Sequence, residues 1–111
     1  MEDKDNVIIY VFDTVTGEII IKKGHVFVSG WPLGTRSTVF YSYDNSRSYF
    51  CSSDEGVLYK CRNVWFKADD PDGFNKAIDI FIKYQSDKII AEEAIIARRK
   101  NVINELEKKK R

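Results

Sequence analysis

The segment Gly30–Ser37, which reads GWPLGTRS, contains residue types that bind anionic ligands. Its glycines let backbone N–H groups approach an anion, and Thr35, Arg36 and Ser37 can donate hydrogen bonds to phosphate oxygens. Trp31 could stack on a nucleobase. The spacing does not match the GxxxxGK[ST] phosphate-binding loop. A wide hairpin loop with Trp31 packed over the core is therefore the main interpretation, and ligand contact is the alternative.

The C-terminal end of the chain supplies the other candidate anion-binding residues. The formal net charge is only +1, but residues 71–111 carry 10 basic and 7 acidic groups. Arg98 and Arg99 are assigned to the same hypothetical ligand site as the loop. From the helix, either arginine would close the pocket, within one chain or across a subunit interface. The more common meaning of such a basic segment is a solvated helix face.

The residues that could carry catalysis do not match a known active-site arrangement by type and spacing. His25 is the only histidine, and no Ser-His-Asp or Cys-His arrangement can be placed at suitable spacing. Cys51 and Cys61 flank a predicted hairpin turn and are expected to be reduced thiols, and a metal site would need two further ligands. The sequence therefore predicts a protein that is not an enzyme and has no metal and no cofactor.

Short apolar segments with intervening turns occupy the first two thirds of the chain. A polar tail at residues 1–6 precedes an antiparallel β domain at residues 7–68. Lys23-Gly24 is expected to separate two strands, and the last strand could divide at Arg62-Asn63. The predicted strands are Val7–Phe12, Glu18–Lys22, His25–Val28, Thr38–Tyr43, Arg47–Ser52 and Val57–Phe66.

A long amphipathic helix is predicted over residues 69–108, followed by a basic end at 109–111. Asp70 can cap its start and Pro71 suits the first helical position. No glycine or proline follows Phe74, and Ser86-Asp87 is the only candidate for a break in the helix. The fold class is therefore α+β, with a five- to six-stranded antiparallel small barrel or bent sheet followed by one long C-terminal helix.

The apolar stripe of this helix is longer than its own domain can cover. A helix of about 35 residues spans roughly 50 Å, whereas a 70-residue domain is about 30 Å across. The stripe is therefore expected to bury itself in a homo-oligomer, with a fold-back at Ser86-Asp87 as the alternative. Gln85, Glu92 and Arg99 interrupt a leucine-zipper pattern. The predicted interface residues are Ile82, Ile89, Ile95, Ile96, Val102, Ile103 and Leu106.

Aromatic residues in the predicted strands offer a further contact surface. Strand alternation should turn about half of them outward, where they could bind a partner or stack on bases, while the others fill the core. The set consists of Tyr10, Tyr41, Tyr43, Tyr49, Tyr59 and Trp65.

These features favour a non-catalytic, self-associating binding protein of the inhibitor or adaptor type, which acts through contacts with an unknown protein partner. The first alternative is an oligomer that sequesters a phosphate-bearing small molecule such as a nucleotide, and the second is single-stranded nucleic-acid binding. The layout of a compact sheet and one lysine-rich helix resembles small accessory proteins of bacteriophages and mobile elements. With no export signal or long apolar run, the expected location is cytoplasmic, away from membranes.

Overall fold

The computed structural model describes residues 4–29 and 37–110 and confirms the α+β arrangement. Five antiparallel strands form one sheet in the order β4-β3-β2-β1-β5, and one helix follows them. Among the described residues, the edge strands β4 and β5 each pair with one neighbour and not with each other. The sheet is therefore open rather than a closed barrel. The elements are β1 Lys4–Phe12, β2 Ile19–Ser29, β3 Ser37–Ser42, β4 Ser48–Phe50, β5 Asn63–Lys67 and α1 Gly73–Lys108.

The continuous apolar run of β1 is explained by burial on both of its faces. Side chains alternate along a strand, so Val7 and Ile9 enter one core while Tyr10 enters another. The first core lies under β2 and β3 and also contains Val26, Phe40, Cys51 and Trp65. The second joins β5 to the start of the helix and also contains Val64, Phe66, Ala77 and Phe81.

The first turns of α1 pack on the sheet through small and aromatic residues. A β-carbon at Gly73 would lie 3.2 Å from the hydroxyl of Tyr10 and 3.4 Å from Cβ of Phe66, so the helix begins in close contact with β1 and β5. Ala77 is fully buried, and the ring of Phe81 stacks on Phe12 with the centroids 4.7 Å apart. The chain forms two compact units, Met1–Phe81 and Ile82–Arg111, so these first turns belong to the sheet unit.

The predicted strand break at Lys23-Gly24 is wrong, because β2 runs without interruption from Ile19 to Ser29. Gly24 pairs with Val7 on one side and Ser42 on the other. Its lack of a side chain serves close packing of strands, since a β-carbon here would lie 2.8 Å from Cζ of Phe40. The glycine therefore marks a close approach of two strands and not a chain break.

The predicted strand Val57–Phe66 is not continuous: its end forms β5, which begins at the alternative division point Arg62-Asn63, and the residues before that point do not form a strand. Tyr59 to Arg62 form a tight turn, in which the N–H of Arg62 donates to the carbonyl of Tyr59 at 2.9 Å. Lys60 and Cys61 both have positive φ, at 45° and 64°. Positive φ at both central residues is the requirement of a type I′ turn, which normally uses Asn and Gly.

The helix begins at Gly73, later than the predicted start. Asp70 and Pro71 lie in the preceding turn, where Oδ1 of Asp70 accepts a hydrogen bond from the N–H of Asp72 at 2.9 Å. The helix then continues through Ser86-Asp87 to Lys108. Lys83 and Asp87 form an ion pair at 2.9 Å across this point, which supports one helical turn.

Candidate binding surfaces

The isoleucine face of α1 consists of the seven apolar residues that the sequence assigns to an interface. Each is exposed, from 41% for Ile95 to 59% for Ile82. All seven belong to the unit Ile82–Arg111, whose described residues are exposed apart from the partly buried Tyr84 and Gln85. Within its own unit, the isoleucine face is therefore an apolar surface that no other described residue covers. Its members are Ile82, Ile89, Ile95, Ile96, Val102, Ile103 and Leu106.

Two charged residues lie within the isoleucine face. A helix turns about 100° per residue, so residues seven apart nearly coincide on its circumference. Ile82, Ile89, Ile96 and Ile103 form one row at this spacing, and Ile95 and Val102 form a second row. Glu92 and Arg99 lie between the two rows. The ion pairs of the described residues within α1 are Lys83–Asp87 and Lys108–Glu105, so neither charge is neutralised there.

The hypothetical ligand site falls partly outside the described residues. Trp31, Thr35 and Arg36 are not described, and Ser37 is the first residue of β3, paired with Ser29. In the second unit, the side chains of Arg98 and Arg99 line a depression of about 450 Å³ together with Val102 and Ile103. The two arginines are thus brought together with apolar side chains, and their relation to the loop remains a prediction.

The aromatic patch consists of His25, Phe27, Tyr41 and Tyr43 on adjacent strands β2 and β3 and the residue that follows. The His25 ring stacks on Phe27 at 5.6 Å, on Tyr41 at 6.0 Å and on Tyr43 at 6.2 Å between centroids. Phe27 and Tyr41 are nearly parallel, with an interplanar angle of 9°. Tyr41 and Tyr43 are exposed while His25 and Phe27 are partly buried. The rings therefore form a continuous apolar surface on the sheet.

The edge of the aromatic patch is fixed by a hydrogen bond across the sheet. The Tyr43 hydroxyl donates to Oδ1 of Asp5 and accepts from the N–H of Asn6 at 2.8 Å. Asn6 has a φ of 56° and lies at the irregularity where the pairing of β1 with β2 shifts register. The hydrogen bond from Tyr43 lowers the pKa of Asp5, and the same bond raises the pKa of Tyr43.

The remaining aromatic residues of the predicted strands are distributed between core and cleft. Tyr10 and Trp65 are buried, and the indole N–H of Trp65 donates to the carbonyl of Ser52 at 2.8 Å. Tyr49 and Tyr59 line a cleft of about 330 Å³ beside the tight turn. Phe50, Lys60, Arg62, Val11 and Asn63 complete its lining.

A buried amide lies at this cleft, at a position where no residue pattern indicates a site. Asn63 is 3% exposed and donates from Nδ2 to the carbonyl of Phe50 at 2.9 Å. Its Oδ1 has no hydrogen-bond partner among the described residues. The Nζ of Lys60 lies 5.3 Å from the centroid of the Tyr59 ring, which places a cation at the mouth of the cleft. The arrangement combines aromatic and cationic groups, but the side chain of Asn63 is already fixed by β4.

Cys51 and Cys61 are free thiols, as expected. Cys51 is a member of the first core, and burial raises its pKa to about 12. A thiol with so high a pKa is neither a nucleophile nor a ready metal ligand at neutral pH. Cys61 is only partly buried and lies in the tight turn.

Residues 4–29 and 37–110 contain no group of three His, Cys, Asp or Glu side chains placed to hold a metal ion. In the same ranges, no helix combines the length and the hydrophobicity that crossing a bilayer requires. No family model, no curated protein and no solved structure matches this chain.

Proposed function

We propose that this is a non-catalytic binding protein that self-associates through the isoleucine face of α1 and acts through protein contacts, as an inhibitor or adaptor does. The observation that carries the proposal is the exposure of all seven members of that face on one continuous helix. Contiguous apolar surface of this extent commonly marks an interaction site. A second copy of the chain would cover it with the same residues.

Self-association would bury from water the apolar side chains of the isoleucine face, which are exposed in the single chain. Burying an Ile or Leu side chain completely is worth about 1.5–3 kcal/mol. The members of the face are about half-exposed, so each would gain part of that amount. The burial free energy of the face, summed over two chains, is of the order of the entropic cost of association, about 4–15 kcal/mol. A contiguous face can therefore offset this cost, whereas a single residue cannot.

Light scattering on the full chain at tens of micromolar tests the proposal. The expected mass is at least twice the 12.9 kDa of one chain. The double variant Ile96→Asp/Ile103→Asp places two carboxylates in the face and should return the protein to a monomer. A monodisperse wild-type monomer at that concentration would overturn the proposal.

Ile90 provides the matched control for this experiment. It is 65% exposed and lies on the same helix, but about 80° to 140° around it from the row Ile82, Ile89, Ile96 and Ile103. Ile90→Asp introduces the same charge and the same loss of helix propensity outside the face. It should leave the mass of the assembly unchanged. Dissociation by Ile90→Asp would show that helix stability, and not the face, determines the effect.

The aromatic patch is the surface that we assign to a protein partner. Its rings supply rigid apolar area with polar edges, a composition that is enriched at protein interfaces. Replacing Phe27 and Tyr41 together by Ser should abolish partner capture and leave self-association intact, since the patch belongs to the other unit. The two free thiols favour a reducing compartment, and we therefore propose a cytoplasmic location.

Sequestration of a phosphate-bearing small molecule is the second candidate function. The depression lined by Arg98 and Arg99 supports it, because two guanidinium groups lie there beside apolar side chains. A nucleotide panel in a thermal-shift experiment tests this function. It predicts a reproducible rise in Tm that Arg36→Ala or Arg99→Ala abolishes, and an unchanged Tm across the panel would exclude it.

A further inference from the structure

The charges near the middle of α1 repeat with opposite sign after two helical turns. Residues 92–99 read EEAIIARR, so the apolar positions are symmetrical about the midpoint between Ile95 and Ile96 while the charges are inverted. Glu92 and Arg99 share one position on the circumference, and Glu93 and Lys100 share the neighbouring one. The helix is continuous and all these side chains are exposed. A sequence of this kind is complementary to its own reverse.

The isoleucine face has nearly the same symmetry, with its centre half a residue later, at Ile96. Ile89 and Ile103 lie seven residues before and after Ile96. When two copies of α1 run in opposite directions around Ile96, Ile89 of one chain faces the partner's Ile103, and Ile96 faces its own copy. The apolar rows therefore remain in contact over the whole length from Ile89 to Ile103.

Charge distinguishes this arrangement from a parallel one. In an antiparallel pair centred here, Glu92 lies opposite the partner's Arg99, and Glu93 lies opposite the partner's Lys100. A parallel pair in register would place glutamate against glutamate and arginine against arginine between the apolar rows, where partial burial strengthens the repulsion. The observed charges thus complement a second copy in one direction only.

We infer that the isoleucine face binds a second copy of this chain in antiparallel orientation, with the two-fold axis near Ile95 and Ile96 and Glu92 paired with the partner's Arg99. This inference rests on the proposed self-association and specifies its geometry. Such an interface is isologous, since each patch meets an identical patch, and it closes at two chains.

Disulfide cross-linking of the full chain gives the most direct test. Each test cysteine is introduced in a Cys61→Asn background, because Asn accepts the positive φ of residue 61 and Cys51 is buried. Ile96→Cys should cross-link to its own copy under mild oxidation. Ile89→Cys and Ile103→Cys should each fail alone, because their copies would be about 21 Å apart along the axis, far beyond disulfide range. A mixture of the two variants should cross-link.

A parallel dimer predicts the opposite pattern. All three variants would then cross-link to their own copies, and the mixture of Ile89→Cys with Ile103→Cys would give no hetero-dimer. That result would overturn the antiparallel inference and leave the proposed self-association standing. A wild-type monomer in light scattering, in contrast, would remove both.

Charge reversal provides an independent measurement. Glu92→Arg places arginine against the partner's Arg99 at two symmetric positions and should raise the dimer Kd at least about tenfold. In a parallel pair the same change replaces one like-charge contact by another, so an unchanged Kd would overturn the inference. Asp79→Arg, also a charge reversal at an exposed position of α1 but ahead of the isoleucine face, is the matched control and should leave Kd within about twofold of the wild type.

The reversal can also be complemented. Mixing Glu92→Arg with Arg99→Glu restores opposite charges at both positions, so a hetero-dimer should form with a Kd close to that of the wild type. The penalty of each single variant should shrink as the salt concentration rises, because the charges remain partly exposed. A penalty that persists unchanged in high salt would indicate local unfolding of the helix and would contradict the pairing of Glu92 with Arg99.

Discussion

A β-carbon at Gly24 would overlap the carbonyl oxygen of Tyr41, the residue beside its pairing partner on β3. The backbone of β3 cannot withdraw without breaking its pairing with β2, and the ring of Phe40 blocks the other direction. The pairing of β2 with β3 therefore requires a residue without a β-carbon at position 24.

Replacement of Gly24 by Ala should destabilise the sheet unit. Overpacking of this kind costs about 1–3 kcal/mol, and contact with backbone places the change at the upper end of that range. Chemical denaturation should show the loss as a lower midpoint. The matched control is Lys23→Ala at the neighbouring exposed position, which should change the free energy of unfolding by less than about 0.5 kcal/mol. A variant at Gly24 as stable as the wild type would contradict the packing described for β2 and β3.

The large elements could be predicted because their signals are local. The isoleucines at seven-residue spacing and the absence of Gly and Pro after Gly73 indicate one helix, and α1 continues to Lys108. The apolar run Val7–Phe12 indicates a strand, and β1 contains it. In both cases the periodicity within one segment decides the structure, so no knowledge of neighbouring elements is needed.

The remaining features depend on contacts that the sequence does not display. The sequence predicts a break at Gly24 because the residues that it approaches closely, Phe40 and Tyr41, are distant in sequence. The aromatic patch required the register of β2 on β3, which alone brings His25 beside Tyr41. The turn at Lys60 and Cys61 lacks the residues typical of such turns, so nothing in its composition indicated positive φ.

The tight turn offers a stabilising substitution. Lys60 and Cys61 adopt positive φ although both have side chains, which costs about 1 kcal/mol or more at each position. Lys60→Asn with Cys61→Gly supplies the residues that type I′ turns prefer and should stabilise the fold by about 1–2 kcal/mol. Thermal unfolding should show a Tm higher by several degrees.

The control for this substitution places an unfavourable residue at position 60. Lys60→Val should lower the Tm, because β-branched residues tolerate positive φ least. An Asn-Gly variant that melts below the wild type would contradict the argument that positive φ at residues 60 and 61 destabilises the turn.

The two thiols should differ sharply in reactivity. Cys51 is 3% exposed with a pKa raised to about 12 by burial, so its reactive thiolate is scarce at neutral pH. Cys61 is partly accessible in the turn. An aromatic disulfide reagent should therefore titrate one thiol rapidly in the native protein and the second only after unfolding. Cys61→Asn should remove the rapid phase, whereas rapid reaction of both thiols would contradict the burial of Cys51.

The charge of Asp70 links the start of α1 to pH. Its pKa lies below the usual 3.8, first because Nζ of Lys76 donates a hydrogen bond at 2.8 Å and then because the N–H of Asp72 donates another. The unfolded chain thus binds this proton at a higher pH than the folded chain. The contribution to stability is therefore fully present well above pH 3.8 and is lost as the pH falls through the lower folded pKa.

Asp70→Asn should isolate that contribution, because the amide oxygen can still accept from Asp72 while the charge facing Lys76 is gone. The variant should be less stable than the wild type at about pH 6, and the difference between their free energies of unfolding should shrink as the pH approaches 2. Urea denaturation at a series of pH values measures this difference. Asp69→Asn, one residue earlier, is the matched control and should retain the full acid dependence. A constant difference between Asp70→Asn and the wild type across this range would show that the ion pair with Lys76 does not stabilise the helix start.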